Sequence, residues 1–317
     1  MKNLLSIVVP CFNEEEMIPI FFDKISTIEL PLEREYIFID DGSKDQTLIE
    51  LQKLVTKNEE HIRYISFSRN FGKEAAIYAG LSEAKGNYVV LMDADLQDPP
   101  EMLVDMYTNI KDGKYDCVGT RRVTRKGEPA IRSFFARSFY KMINNISDTE
   151  IVDGARDFRM MTRQMVDAIL EVKEYNRFSK GIFSWVGFNT LYLEYENHER
   201  AAGETTWSLW GLFKYSLQGI VAYSDVPLSI ASYLGIISFI VSIVLMLFFM
   251  IRTIVFNNPT QGWTSLMVII LGLGGVQLLS LGILGKYVSQ TYLETKRRPI
   301  YIVKETEKNQ LDITSKK

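Results

Sequence analysis

Asp93 and Asp95 stand one residue apart in Met92-Asp93-Ala94-Asp95-Leu96-Gln97, directly after the apolar run Tyr88-Val89-Val90-Leu91. Extended backbone throws alternate side chains to the same side, so the two carboxylates can converge on one point. Converging carboxylates repel unless a cation sits between them, and hard oxygen ligands suit Mg2+ or Mn2+. A cation held by so few protein ligands completes its shell with substrate phosphates. The plain alternative is a solvated loop, because Asp-X-Asp is a common string. Asp41, in Asp40-Asp41-Gly42-Ser43, could accept hydrogen bonds from a base N–H or a ribose hydroxyl, or serve only as a turn residue. Asp98, ahead of Pro99-Pro100-Glu101, reads as a helix start. No Gly-x-Gly-x-x-Gly follows the first strand and no Walker-type loop occurs, so a Rossmann dehydrogenase is unsupported. Phosphate then falls to a metal and to Lys and Arg side chains.

The elements that must position these residues alternate. Strands are expected at Ile7-Val8-Val9, Tyr36 to Ile39, Tyr64 to Phe67, Tyr88 to Met92 and Asp116 to Gly119, with helices around Met17 to Ile28, Thr47 to Val55, Glu74 to Ala84 and Glu101 to Ile110. Leu191 to Glu196 is a last strand-like segment. That order predicts an α/β fold with a doubly wound, mostly parallel sheet. Ligands in such sheets sit beyond the carboxyl ends of the strands, where Asn13-Glu14, Asp40 to Ser43, Arg69-Asn70 and the Asp93–Asp95 pair all fall.

Composition excludes several classes. The 317-residue chain carries a net charge of −3, which gives no polyanion-binding signal and argues against nucleic acid as a partner. Cys11 and Cys117 cannot make a disulfide framework, and His61 and His198 make no zinc pattern, so reduced, cytosol-facing chemistry is expected. Met1 to Leu5 opens a strand, since Pro10 and Glu14-Glu15-Glu16 cut the apolar run too short for a signal peptide.

Charged residues vanish from Leu228 to Ile251 and again from Trp263 to Gly285. Each stretch, at ~1.5 Å per residue, matches the ~30 Å hydrocarbon core as a helix, the alternative being two buried core helices. The connector Asn257 to Gly262 is short and uncharged, while Lys286, Lys296, Arg297, Arg298 and Lys304 follow the second stretch. The positive-inside bias therefore predicts a hairpin over 228–290 in the plasma membrane, with both chain ends in the cytoplasm. Arg252 dissents and must snorkel outward. A catalytic domain over 1–225 precedes the hairpin and a cytoplasmic tail over 291–317 follows it, polar and frayed after Glu305. Ile131, Phe135, Phe139, Met142 and Ile146 share one helical face, as in an interfacial helix over about 130–146, or else an ordinary core-facing helix. Thr206 to Tyr223, with Trp207, Trp210 and Tyr215, reads as a second surface-lying segment.

Taken together the motifs resemble family 2 glycosyltransferases. Val9-Pro10-Cys11-Phe12-Asn13-Glu14, Ile39-Asp40-Asp41-Gly42-Ser43, Arg69-Asn70-Phe71-Gly72-Lys73, Asp93 to Glu101, Asp157-Phe158-Arg159-Met160-Met161 and Arg200 to Trp207 stand in that family's order. The subgroup they are similar to is the polyprenyl-phosphate glycosyltransferases, and the likeness runs from about Leu4 to Arg298. The resemblance implies a GT-A domain with Pro10, Phe12, Glu14, Asp41, Lys73 and Asp93 at the nucleotide sugar. It implies Asp93, Asp95 and Gln97 at a Mg2+ or Mn2+ ion and Asp157 as base or positioner. Arg121, Arg132 and Arg200 would meet the acceptor phosphate, with Arg121 and Arg200 also assisting catalysis. Two positions depart from the pattern: Ala136 replaces a serine, and Thr206-Trp207 replace the lysine expected after Thr205. Asp157 could instead form a helix-flanking ion pair with Arg156 or Arg159, and Arg200 a surface pair with Glu199 or Glu204.

The resemblance implies transfer of a hexose from a UDP-sugar, glucose ahead of N-acetylglucosamine, to a polyprenyl phosphate such as undecaprenyl phosphate. The product would be a lipid-linked donor for cell-envelope glycosylation. A homo-oligomer, such as a tetramer, is implied in the same way. A processive polysaccharide synthase is the first alternative, but its usual Gln-x-x-Arg-Trp string is absent. A non-catalytic membrane partner is the second.

Overall fold

The computed structural model describes residues 3–57, 61–123, 144, 152, 154–195, 224, 226–256 and 262–308. The expected surface helices over 130–146 and 206–223, together with Arg132 and Arg200, lie outside the described residues.

Four strands build the centre of the sheet: β1 (Leu4–Cys11), β2 (Glu33–Asp40), β3 (Ile62–Phe67) and β4 (Tyr88–Leu91). They are parallel in the order β4-β1-β2-β3. β5 (Cys117–Arg122), β6 (Ala155–Thr162) and β7 (Thr190–Tyr195) extend one side as β7-β5-β6-β4. β6 runs antiparallel to both β4 and β5. The sheet is therefore mixed but mostly parallel, as expected: β6 runs against the other strands named so far, which share one direction. β6 escapes a reading for apolar runs because its first half carries Arg156 and Asp157 and the buried Arg159 breaks its second half, between the buried Phe158 and the buried Met160 and Met161.

Strand residues alternate between two helical layers, as a doubly wound sheet requires. Leu5, Ile7 and Val9 pack with α1 (Met17–Ser26), α2 (Thr47–Lys57) and α4 (Met102–Ile110) on one face. Val8, Ile37 and Ile39 pack with α3 (Lys73–Glu83), α5 (Arg163–Glu171) and α6 (Ser179–Trp185) on the other. α3 meets the sheet through small side chains, Ala75, Ala76 and Ala79 among them. At Gly80 a Cβ would lie 2.2 Å from Val8 Cγ1, so this helix sits closer to β1 than any larger residue would allow. That close seat fixes the position of Lys73 at its amino end.

Two long helices follow, α7 (Val226–Phe256) and α8 (Trp263–Thr295). Among the described residues one helix segment, Val226–Leu245, is long and apolar enough to cross a membrane, and almost none of it is buried within the protein. The two ends of the pair meet: Tyr287 donates its hydroxyl to the Ser224 carbonyl at 2.7 Å. Glu294, near the end of α8, accepts the Tyr175 N–H at 2.8 Å and so ties that helix to the sheet domain. Residues 296–308, after α8, return to the sheet domain. Tyr301 stacks on Phe67 with ring centroids 4.8 Å apart, and β8 (Val303–Thr306) adds to β3 as an antiparallel edge strand. Glu305 holds it there, accepting from Tyr64 Oη at 2.6 Å and from Gln52 Nε2 at 2.7 Å.

Candidate active site

The carboxyl ends of β1 and β2 are laced together by side chains that accept backbone N–H groups. Asn13, in a left-handed conformation at φ 55°, donates its N–H to Ser43 Oγ at 2.9 Å and accepts from Lys44 N at 2.9 Å. The Glu14 N–H donates to Thr47 Oγ1 at 2.8 Å. Asp40, fully enclosed, accepts from Ser43 N at 2.9 Å and from Ser66 Oγ at 2.7 Å. Asp41 is buried beside it, and its two oxygens accept Phe71 N at 2.6 Å and Gly72 N at 2.9 Å. Burial outweighs those two hydrogen bonds and pushes the Asp41 carboxyl up to about 6. Gly42 must be glycine: its φ is +66°, and a Cβ would lie 2.4 Å from the Arg69 carbonyl carbon. Pro10 closes β1 opposite Ile39, and Phe12 presents a partly exposed ring at the rim of the loops.

The second cluster follows from strand register. Leu91 of β4 pairs with Arg159 of β6, so Asp93 and Asp157 arrive at the same end of the sheet on antiparallel neighbours. Between them sits Lys73. Its Nζ lies 2.7 Å from Asp93 Oδ1, 2.9 Å from Asp93 Oδ2 and 2.6 Å from Asp157 Oδ2. Burial alone would raise the Asp157 pKa, but the Lys73 ammonium, with Lys180 and Arg159 behind it, holds this carboxyl well below the usual range. Asp157 is ionised throughout the physiological range. Its ion-pair partner is Lys73 and it lies within a strand, unlike the alternative reading of a helix-flanking pair with Arg156 or Arg159.

Arg156 has a different task. Its Nε donates to Asp98 Oδ1 at 3.1 Å and its Nη2 to Gln97 Oε1 at 3.1 Å. The same Asp98 oxygen accepts the Tyr195 hydroxyl of β7. Asp98 is buried, and burial raises its pKa against the pull of Arg156 and Tyr195. This residue, read from sequence as a helix start, is the anchor of the segment carrying Asp95 and Gln97. Asp95 accepts the Gln97 N–H at 3.2 Å, with Leu96 at φ 52° making the tight turn. Arg121 lies at the end of β5, 3.6 Å from Glu194 Oε1.

Among the described residues no three His, Cys, Asp or Glu side chains gather into a protein-only metal cage. The donor set on hand is Asp93, Asp95 and Gln97, all oxygens. That set fits a hard divalent ion whose shell is finished by a ligand's phosphates, and does not fit a metal caged by protein alone. Sequence reasoning missed Lys180, Tyr195 and Glu74 and considered Arg156 only as a partner of Asp157; Glu74 accepts the Ser179 N–H at 2.9 Å and locks α3 to α6.

The family described as glycosyl transferase family 2 matches residues 6–170. A bactoprenol glucosyl transferase of Shigella phage SfX is 42% identical over 302 residues, covering 95% of this chain and 98% of that protein. A prophage bactoprenol glucosyl transferase homolog of Escherichia coli (strain K12) is 41% identical over 306 residues, covering 96% and 99%. Among solved structures, a mannosyltransferase from Pyrobaculum calidifontis aligns at 18% identity and a TM-score of 0.49, over 70% of this chain and 64% of that one. With the matched segment, the near full-length identity and the ordered motifs in agreement, the chain belongs to glycosyl transferase family 2.

Proposed function

We propose that this glycosyltransferase moves glucose from UDP-glucose onto a membrane-held polyprenyl phosphate. The observation that carries the reading is the Asp93–Lys73–Asp157 cluster, set at the carboxyl ends of the strands in a domain tied to an apolar helix pair by Glu294 and by the return of β8 to β3. The relatives named for bactoprenol glucosyl transfer support both the sugar and the lipid.

The acceptor phosphate is already an anion, so little proton removal is needed. Its oxygen attacks the anomeric carbon, the bond from that carbon to the diphosphate breaks, and UDP leaves with the bonding pair. Asp157, ionised beside Lys73, orients the acceptor and takes any residual proton at its carboxylate. Phe12, Pro10 and Glu14 frame the nucleoside. Asp41 acts through Phe71 and Gly72 by setting the loop that precedes Lys73. Asp93, Asp95 and Gln97 would hold a Mg2+ or Mn2+ ion, which offsets the charge growing on the leaving diphosphate. Arg121, Arg132 and Arg200 serve the acceptor phosphate, a guanidinium being able to meet it bidentately.

α7 and α8 act as a two-span hairpin, with the sheet domain and β8 on the cytoplasmic side. The return of β8 to β3 supports this arrangement, because the chain enters and leaves the helix pair at the same end. The test is transfer of radiolabel from UDP-glucose into organic-extractable lipid by membranes supplied with undecaprenyl phosphate. Label should enter the lipid from UDP-glucose and much less from UDP-N-acetylglucosamine. Label from neither donor would refute the reading.

A further inference from the structure

We infer that Lys73 is a resident counter-ion that occupies the cation position on Asp93 until a diphosphate arrives, so that the divalent ion and the nucleotide are taken up together. The inference rests on the proposal that Asp93 is a metal ligand. One ammonium spans both oxygens of Asp93, at 2.7 and 2.9 Å, while touching Asp157 at 2.6 Å. A divalent ion approaching Asp93 therefore meets a positive charge already seated on both of its carboxylate oxygens. At such separations the repulsion between cation and ammonium is large in a partly enclosed site.

The lysine is placed for exchange. Its backbone is held rigidly, by the Gly80 contact with Val8 and by the hydrogen bond from Gly72 N to Asp41. Its side chain is a flexible four-carbon stem and remains 39% exposed, against 23% for Asp93 and 16% for Asp157. A fixed root with a mobile head lets Nζ leave Asp93 for an incoming phosphate oxygen without moving α3. The diphosphate offers the ammonium a new partner as Asp93 is released to the divalent ion. By linkage, nucleotide must then tighten metal binding by the same factor as metal tightens nucleotide binding. Without Lys73, Asp93 would lose the ammonium seated on both of its oxygens and draw in a divalent ion more readily.

The test is equilibrium binding of Mn2+ to the full chain in detergent, read by the electron paramagnetic resonance of free Mn2+, with and without UDP. Wild type should bind Mn2+ weakly alone and about tenfold or more tightly with UDP, within the usual range of coupling between sites. Lys73→Met should bind Mn2+ alone about tenfold more tightly than wild type and respond less to UDP, while Lys73→Arg, which keeps the charge, should stay close to wild type. A wild-type Mn2+ affinity that is the same with and without UDP overturns the inference, and needs no variant to fold. So does a folded Lys73→Met protein that binds Mn2+ alone no better than wild type. Asp93→Asn separates the two levels: Mn2+ binding with UDP that is unchanged in that variant removes the metal role of Asp93 itself.

Discussion

The Asp41 carboxylate at the end of β2 caps the start of α3 by accepting Phe71 N and Gly72 N, so the position of Lys73 is set from a strand thirty residues earlier. Asp41 titrates at about 6, above its ordinary value of 3.8, because burial outweighs its hydrogen bonds. The sign follows: the folded protein binds this proton more tightly than the unfolded chain, so the contribution to stability is full below the ordinary value and is lost as pH rises through about 6. Asp41→Asn cannot titrate. The unfolding free energy of wild type relative to Asp41→Asn, followed by thermal or denaturant melts, should therefore fall between pH ~4 and ~7, by an amount on the order of 1–3 kcal/mol. A difference that is flat across that window would show that Asp41 is not perturbed.

Asp95 is buried in the turn that ends at Gln97. As a proposed metal ligand, its replacement in Asp95→Asn should lower transfer by ~100-fold or more and weaken Mn2+-dependent UDP binding, measured by calorimetry. Unchanged transfer in the variant with EDTA present would remove the metal from the account.

Arg156 neutralises Asp98 within the protein, where Asp98 has no solvent to turn to. Arg156→Ala leaves that carboxylate buried without its counter-charge, with the Tyr195 hydroxyl still donating to it, and should cost ~3–5 kcal/mol, seen as a large drop in thermal midpoint. Asp98→Asn in the same background should recover part of the loss. If Arg156→Ala melts as wild type does, the pair is not structural.

How much of this was legible follows from distance along the chain. Asp41, Asp93 and Asp95 could be picked out because each breaks an apolar strand at its carboxyl end, which is a local signal. The Lys73–Asp157 contact spans 84 positions and depends on β6 lying antiparallel beside β4, which no local pattern encodes. β6 itself was hidden because Arg156 and Asp157 interrupt its apolar residues to serve the site. β8, reading Val-Lys-Glu-Thr, has no apolar run; it pairs at an edge and is held by Glu305 and its partners. Asp98 reads as a helix start from its neighbours Pro99 and Pro100, and its partly buried partner Arg156 lies 58 positions away.

The proposed hairpin predicts where each end of the helix pair faces. A reporter fused after Lys317 should report as cytoplasmic, and one inserted between Asn257 and Gly262 as external. Both fusions reporting from the same side would refute a two-span arrangement.

The central claim is that one sugar is placed on a polyprenyl phosphate. Mass spectrometry of the lipid formed from UDP-glucose and undecaprenyl phosphate by the purified chain tests it most directly. The account predicts a single product heavier than the acceptor by one hexose residue, lost in Asp157→Asn. A ladder of several hexoses would instead mark a processive synthase, and recovery of unmodified acceptor alone, with an active preparation of Mn2+ and UDP-glucose present, would contradict the account.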